Sequence, residues 1–297
     1  MKVALVTGGT DGIGKEISRG LARAGNEVII VGRNPEKGNR ATQELRRTTG
    51  NERVTFLSTD LSFMRETDAL AAQIRGAWAS LDYLVLCAGI VRGRRTLTSE
   101  GIESNFAVSY LSRFALTSRL LPLLEAAGQP NASARVVIIG GAARNGTIFF
   151  DDVNLARNFS TLRAVGQFCQ ANDVFTLELA RRLKARNLRP LVTVTSLKIG
   201  VVKTNIRKEF PLWMKLLVPL VLDPLLGQTP QEAAEPALRL LLSPEFEGVN
   251  GGLFLKVRKF KGIAVGPREL DLEHGQRLWK LSERMINQSV NMNLSLF

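Results

Sequence analysis

Between a short apolar run, Lys2 to Val6, and a helical pattern through Ile17, Leu21 and Ala24 stands the octet Thr7-Gly8-Gly9-Thr10-Asp11-Gly12-Ile13-Gly14. No other stretch restricts the fold of this 297-residue chain as much. A glycine turn that closes a strand and opens a helix lets backbone approach a ligand closely. It also aims backbone amides and the positive end of the helix at that ligand. A pyrophosphate suits such a turn; without one, the octet is only a structural glycine corner. The spacing Gly8, Gly12, Gly14 departs from G-x-G-x-x-G, so its weight comes from its place after a first strand and before a first helix.

The rest of the chain repeats that alternation. Val28 to Val31, Val54 to Leu57, Asp82 to Cys87, Arg135 to Ile139, Leu191 to Ser196 and Leu253 to Leu255 are short, mostly β-branched runs. Between them, Ala41 and Leu45, then Leu70, Ile74 and Trp78, recur at helical spacing, and Asn34-Pro35 offers an N-cap with a first-turn proline. Strands apolar on both faces and separated by helices predict a parallel sheet covered on both sides, a doubly wound α/β fold of Rossmann type. No linker or repeat interrupts it, so residues 1–297 are expected to form a single domain.

Composition narrows the function. One histidine, His274, excludes a histidine-based triad and a multi-histidine metal site. Two cysteines, Cys87 and Cys169, make neither a disulfide framework nor a zinc spacing, which fits a reducing compartment. The N-terminus enters a strand without a basic region and a signal-length apolar run, so a cytoplasmic location is expected. The net charge of +13 comes from basic residues scattered singly and in pairs, which disfavours a nucleic-acid surface.

The stretch from Phe210 to Leu226 is very apolar but broken by three prolines and carries Lys215 and Asp223, which argues against a membrane span. A lid over an apolar substrate pocket, spanning about 205–235, is the favoured reading. A segment resting on a membrane surface and an oligomer contact are the weaker ones. A C-terminal amphipathic helix is expected over about 269–287.

In an NAD site the second strand ends in an acid that accepts from the ribose hydroxyls. Here it ends Val31-Gly32-Arg33, with Lys37 close behind. A guanidinium there favours a 2′-phosphate through charge-assisted contacts, and hence NADP(H). The plain alternative is a solvated loop arginine.

With these residues in hand, the chain resembles the short-chain dehydrogenase/reductase family, and within it the retinol-dehydrogenase-like branch, from the first strand to about Ile286. The resemblance rests on the loop at 7–14, Asp60-Leu61 after the third strand and Ala88-Gly89 after the fourth. It rests further on Asn105 within Glu103-Ser104-Asn105-Phe106, on Phe150-Asp151-Asp152-Val153-Asn154 and on Phe175 to Leu183. Gly200-Val201-Val202-Lys203-Thr204 and Leu278-Trp279-Lys280-Leu281-Ser282 complete it. It implies cofactor contacts from Thr7, Gly8, Thr10, Asp11, Gly12, Ile13, Gly14, Arg33, Asn34, Asp60, Leu61, Ala88, Gly89, Val202 and Thr204. It also admits a homodimer.

The resemblance further implies a proton-transferring tyrosine at 165, a lysine at 169, a serine at 141 and an asparagine at 105. The chain has Val165, Cys169, Gly141 and Asn105, and its tyrosines, Tyr83 and Tyr110, lie far upstream. A positioned general acid contributes about 10²–10⁴-fold, so an unactivated ketone would be a poor substrate. An acceptor already cationic, such as an iminium, needs no proton donor, and neither does a cyclisation or rearrangement oriented by an apolar cavity.

Three expectations follow. The first is an NADP(H)-binding enzyme of specialised metabolism that acts on a bulky apolar molecule by non-redox cyclisation, isomerisation or dehydration, or by hydride transfer to a cation. The second is an alcohol/ketone oxidoreductase with a relocated acid, with Lys198, Lys203, Arg144, Asn145, Asp151, Asp152 and Asp173 as candidates. The third is a cofactor-binding pseudoenzyme or partner subunit.

Overall fold

The computed structural model describes residues 1–129, 131–141, 146–186, 191–200, 202, 227–256, 260–264 and 271–291, with side chains left aside in 260–264 and at 291. Strand β1, Val3–Thr7, is followed by helix α1, Gly12–Arg23, and then by β2, Glu27–Gly32, and α2, Pro35–Thr49. Next come β3, Val54–Ser58, α3, Met64–Ala77, and β4, Tyr83–Leu86. A short helix α4, Ser104–Phe106, runs through a π-turn, Ala107–Leu111, into α5, Ser112–Ala127. Then follow β5, Ala134–Gly141, α6, Thr161–Arg186, β6, Val192–Ile199, α7, Pro230–Leu242, β7, Gly252–Lys256, β8, Phe260–Ala264, and α8, Leu272–Asn291.

The sheet order is β3-β2-β1-β4-β5-β6-β7-β8. The first seven strands are parallel, and β8 alone runs antiparallel, against β7. That eighth strand was not anticipated from the sequence, because only three residues separate it from β7 and Lys261 and Gly262 interrupt its apolar residues. The direction of chain winding reverses between β1 and β4, and in open parallel sheets ligands bind in the crevice at that point.

Strand pleat divides the core. Ala4 and Val6 face a layer with α1 and α7, while Leu5 faces α3, α5, α6 and α8, and all three side chains are buried. Local chemistry sets the helix ends. Asp11 Oδ1 accepts from Gly12 N at 2.8 Å to cap α1, and Asn34 Oδ1 accepts from Lys37 N at 2.8 Å to cap α2, with Pro35 at its first position. Thr229 and Glu232 form a capping box that starts α7. At the other end of α7, buried Arg135 donates to the carbonyls of Leu240, Leu241 and Ser243 and pairs with Glu247 at 2.6 Å.

Two boundaries shift. Residues 229–242 do not belong to a lid: Ala233, Ala234, Ala237, Leu240 and Leu241 are buried, and Leu238 packs so tightly on Gly20 of α1 that a Cβ there would lie 2.4 Å from it. Of the rest of the expected lid, 205–226 lies outside the described residues. The C-terminal helix starts and ends later than expected, and it covers the α5–α6 face. Trp279 stacks on Phe114 and Phe175 at 4.9 and 6.1 Å, and Ser282 meets Tyr110 at 2.7 Å. Among the described residues no helix is long and apolar enough to cross a membrane.

Candidate active site

At the C-terminal ends of β1, β2 and β4 the chain leaves a cleft of about 450 Å³. Of the residues expected at the cofactor, Gly8, Thr10, Asp11, Gly12, Ile13, Gly14, Arg33, Asp60, Leu61, Ala88 and Gly89 line it together. Thr7 works one layer beneath: its hydroxyl accepts from Cys87 N and Ala88 N at 3.0 and 3.2 Å and ties the end of β1 to the loop after β4. Asn34 caps α2. Val202 is buried and bridges to Gln228, and Thr204 lies outside the described residues.

The cleft fits a dinucleotide on structural grounds. Gly8 has φ +69° and sits so close to the β4 loop that a Cβ would be 3.0 Å from Ala88 Cα. A Cβ on Gly14 would be 2.4 Å from the Gly8 carbonyl oxygen. The turn is therefore backbone against backbone, and the first turn of α1 points its amides into the cleft. Lys37, which could have joined Arg33 at a 2′-phosphate, instead pairs with Asp11 at 2.6 Å. When bound there, a nicotinamide dinucleotide would supply or accept hydride, with its adenosine half over β2 and β3 and its nicotinamide half over β4 to β6.

The nicotinamide half is chemically different. The β5 end at Gly141 faces α6, where Cys169 Sγ lies 3.6 Å from the Gly141 oxygen. Burial pushes the Cys169 thiol up to about 11, helped by the nearby Asp173 carboxylate, and burial pushes Cys87 to about 11 as well. Both are neutral thiols near pH 7. One turn beyond Cys169, Asp173 forms an ion pair with Lys198 of β6, and both side chains are largely buried (11% and 13% exposed). Asp173 and Lys198, candidates from sequence for a substitute acid, are thus brought together. Asp151 lies apart from them, paired with Arg277 at the surface, while Arg144, Asn145 and Lys203 lie outside the described residues.

Asn105 is 1% exposed and committed to a bracket: its Oδ1 accepts from Arg92 N at 2.6 Å and its Nδ2 donates to Glu103 Oε1 at 2.9 Å. It does not line the cleft. The residue in the π-turn that reaches the β4 loop is Ser109, whose hydroxyl accepts from Ile90 N at 3.1 Å and donates to Ile90 O at 3.2 Å. Asn172 in turn donates to Ser109 O at 2.9 Å. Arg113, one turn past Ser109, is buried and donates to Ala88 O at 2.8 Å and to Asn172 Oδ1 at 3.2 Å. Sequence reading overlooked Ser109 and Arg113. Both sit on a helix whose apolar periodicity is weak, and only the π-turn gives them their direction. Tyr110 points the other way, into the core against Phe106 and Ser282, with burial raising its hydroxyl far above the ordinary range.

Side-chain amides staple the segment that leads into α6. Gln167 accepts from Phe149 N and donates to Val153 O, holding residues 149–153 on α6. Asn154 accepts from Glu103 N and donates to Gly101 O. Next to it Leu155, buried, has φ +50°, a strained value for a branched side chain.

Comparison with known proteins agrees with this geometry. The chain is 33% identical to human polyprenol dehydrogenase over 285 residues, covering 96% of this chain and 84% of that protein. It is 33% identical to human retinol dehydrogenase 13 over 290 residues, at 96% and 84% coverage. Among solved structures, an uncharacterized protein from Mycobacterium Paratuberculosis superposes with a TM-score of 0.74 at 25% identity, covering 97% of this chain and 94% of that one. The Pseudomonas aeruginosa RhlG/NADP active-site complex superposes with a TM-score of 0.67 at 24% identity over 86% and 94% of the two chains, a likeness of fold. Residues 2–149 match the short chain dehydrogenase family, and with relatives this similar along nearly its whole length the chain belongs to that family.

Proposed function

We propose that this chain binds NADP(H) in the strand-end cleft and acts on a bulky apolar molecule without the tyrosine–lysine proton chemistry implied by the resemblance. The preferred reaction is hydride transfer to an acceptor that is already cationic. The observation that carries this reading is the pairing of a complete backbone cradle with a neighbouring centre built from Gly141, Val165 and Cys169. Gly141 and Val165 carry no side-chain proton to give, and the buried Cys169 thiol, neutral near pH 7, directs its hydrogen at the Gly141 carbonyl oxygen. Hydride delivered to a ketone there would leave an alkoxide with no tyrosine or lysine beside it, whereas an iminium becomes a neutral amine. The apolar substrate class draws support from relatives named for polyprenol and retinol. Asn105 then serves as a positioning residue that holds the Arg92 backbone at the mouth of the site.

The Lys198–Asp173 pair beside Cys169 favours one second reading, an alcohol/ketone oxidoreductase whose acid has moved to β6. Two measurements separate them. Titration with NADPH should show micromolar binding that weakens in Arg33→Asp. Rapid-mixing oxidation of bound NADPH should proceed with a cyclic iminium and fail with the matching ketone. Fast ketone reduction that disappears in Lys198→Met would replace the first reading by the second. Absence of any NADPH binding would end both.

A further inference from the structure

Arg113 is a cation placed under the cleft floor with nothing described to neutralise it. Its side chain is 4% exposed, and among the described residues no carboxylate lies within ion-pair distance. Its two hydrogen bonds go to neutral acceptors, Ala88 O in the cleft floor and Asn172 Oδ1 on α6. Its Nε has no hydrogen-bond partner. Above it is cleft-lining Gly89, where a Cβ would be 3.5 Å from both Arg113 Nη2 and Ser109 Oγ. On α6 and β6, Asp173 and Lys198 pair with each other. The adjacent Cys87 and Cys169 thiols are uncharged near pH 7, and burial lowers the guanidinium only to about 10, so it stays cationic.

A buried charge acts over several ångströms of protein with little screening. The two redox forms of a nicotinamide dinucleotide differ at the ring by one positive charge, carried by the oxidised form alone. A fixed cation beneath that half therefore raises the energy of the oxidised form and leaves the reduced form unaffected. We propose that Arg113 is a positioning and specificity residue that makes the site prefer reduced over oxidised dinucleotide, while its hydrogen bond to Ala88 O holds the floor in place. This rests on the cofactor reading above.

At the effective dielectric of a protein interior, the preference set by one such charge is about tenfold in dissociation constant. By linkage the reduction potential of the bound couple rises by about 30 mV for that tenfold, two-electron difference.

The test is the ratio of dissociation constants for NADP⁺ and NADPH, measured by calorimetry on the full chain at pH 7 in three proteins. The unaltered chain should bind NADPH about tenfold more tightly. Arg113→Lys, which keeps the charge, should hold that ratio, and Arg113→Gln, which keeps a donor for Ala88 O, should bring it near one. A ratio near one in the unaltered chain, or an unchanged ratio in folded Arg113→Gln, overturns the proposal while leaving cofactor binding intact. If Arg113→Gln does not fold, the unaltered and lysine proteins decide: a ratio near one in either overturns it. Binding of neither form overturns the cofactor reading and this inference with it.

Discussion

The adenosine half and the nicotinamide half of the cleft rest on the same sheet yet are built from different materials. On the adenosine side, contact is made by backbone: the turn at Gly8–Gly14, the first amides of α1 and the end of β2, with Arg33 as the charged addition. On the nicotinamide side the neighbourhood is set by side chains that arrive from α5, α6 and β6, namely Arg113, Cys169, Asp173 and Lys198. Backbone contacts leave few substitutions open, because each glycine is held by sterics. Side-chain positions can change residue type without moving a strand. One half can therefore keep its form while the other takes up new chemistry.

The comparison breaks first, and most visibly, at the glycines. Gly14→Val would push a side chain into the Gly8 carbonyl, where even a Cβ would lie at 2.4 Å. It should cost about 3 kcal/mol of stability by overpacking and abolish NADPH binding, as read by thermal denaturation and titration. Gly141→Ala is the counterpart in the other half. Among the described residues its Cβ would meet Cys169 Sγ at 3.6 Å, an ordinary contact, and the melting temperature should barely move. Equal damage from both would dissolve the distinction.

Lys198→Met removes the cation that buried Asp173 faces and should destabilise the protein by about 3 kcal/mol. The double change Lys198→Met with Asp173→Leu should recover most of that in denaturant unfolding. Failure to recover would mean that the pair does more than neutralise itself.

Arg33→Asp tests the guanidinium that follows β2 in the cleft lining. Loss of a charge-assisted hydrogen bond is worth about 1.5–3 kcal/mol, so NADPH affinity should fall roughly tenfold to a hundredfold while NADH binding changes less.

The smallest effect is alkaline. Cys87 and Cys169 are both raised from 9.0 to about 11 in the folded protein, so each remains protonated where an unfolded chain ionises. Their contribution to stability is complete below pH 9 and is lost as the pH rises toward 11. Replacing both by alanine should flatten the decline of melting temperature over that window. An unchanged slope would show that the thiols ionise normally.

Much of the adenosine half was legible in the sequence because its determinants are local. The turn, the Asp11 cap, the Asn34-Pro35 start of α2 and the arginine after β2 act within a few residues of where they are written. The nicotinamide half was legible mainly by comparison with what a resembling family would place there. The sequence put Asp173 on one stripe with Val165 and Cys169, but it could not pair Asp173 with Lys198, twenty-five residues away on another element. Asn105, a site residue by resemblance, hydrogen-bonds Arg92 and Glu103, while Ser109 in the π-turn and Arg113 just past it reach the β4 loop.

By itself, then, the amino-acid sequence determined the alternation of strands and helices, the glycine cradle and the residue types available for chemistry, since periodicity, capping and steric allowance are short-range properties. Tertiary structure decided which charges meet and which are left under the floor of the cleft. Burial and pairing depend on what other elements bring alongside, and electrostatic energy is set by that neighbourhood rather than by position along the chain.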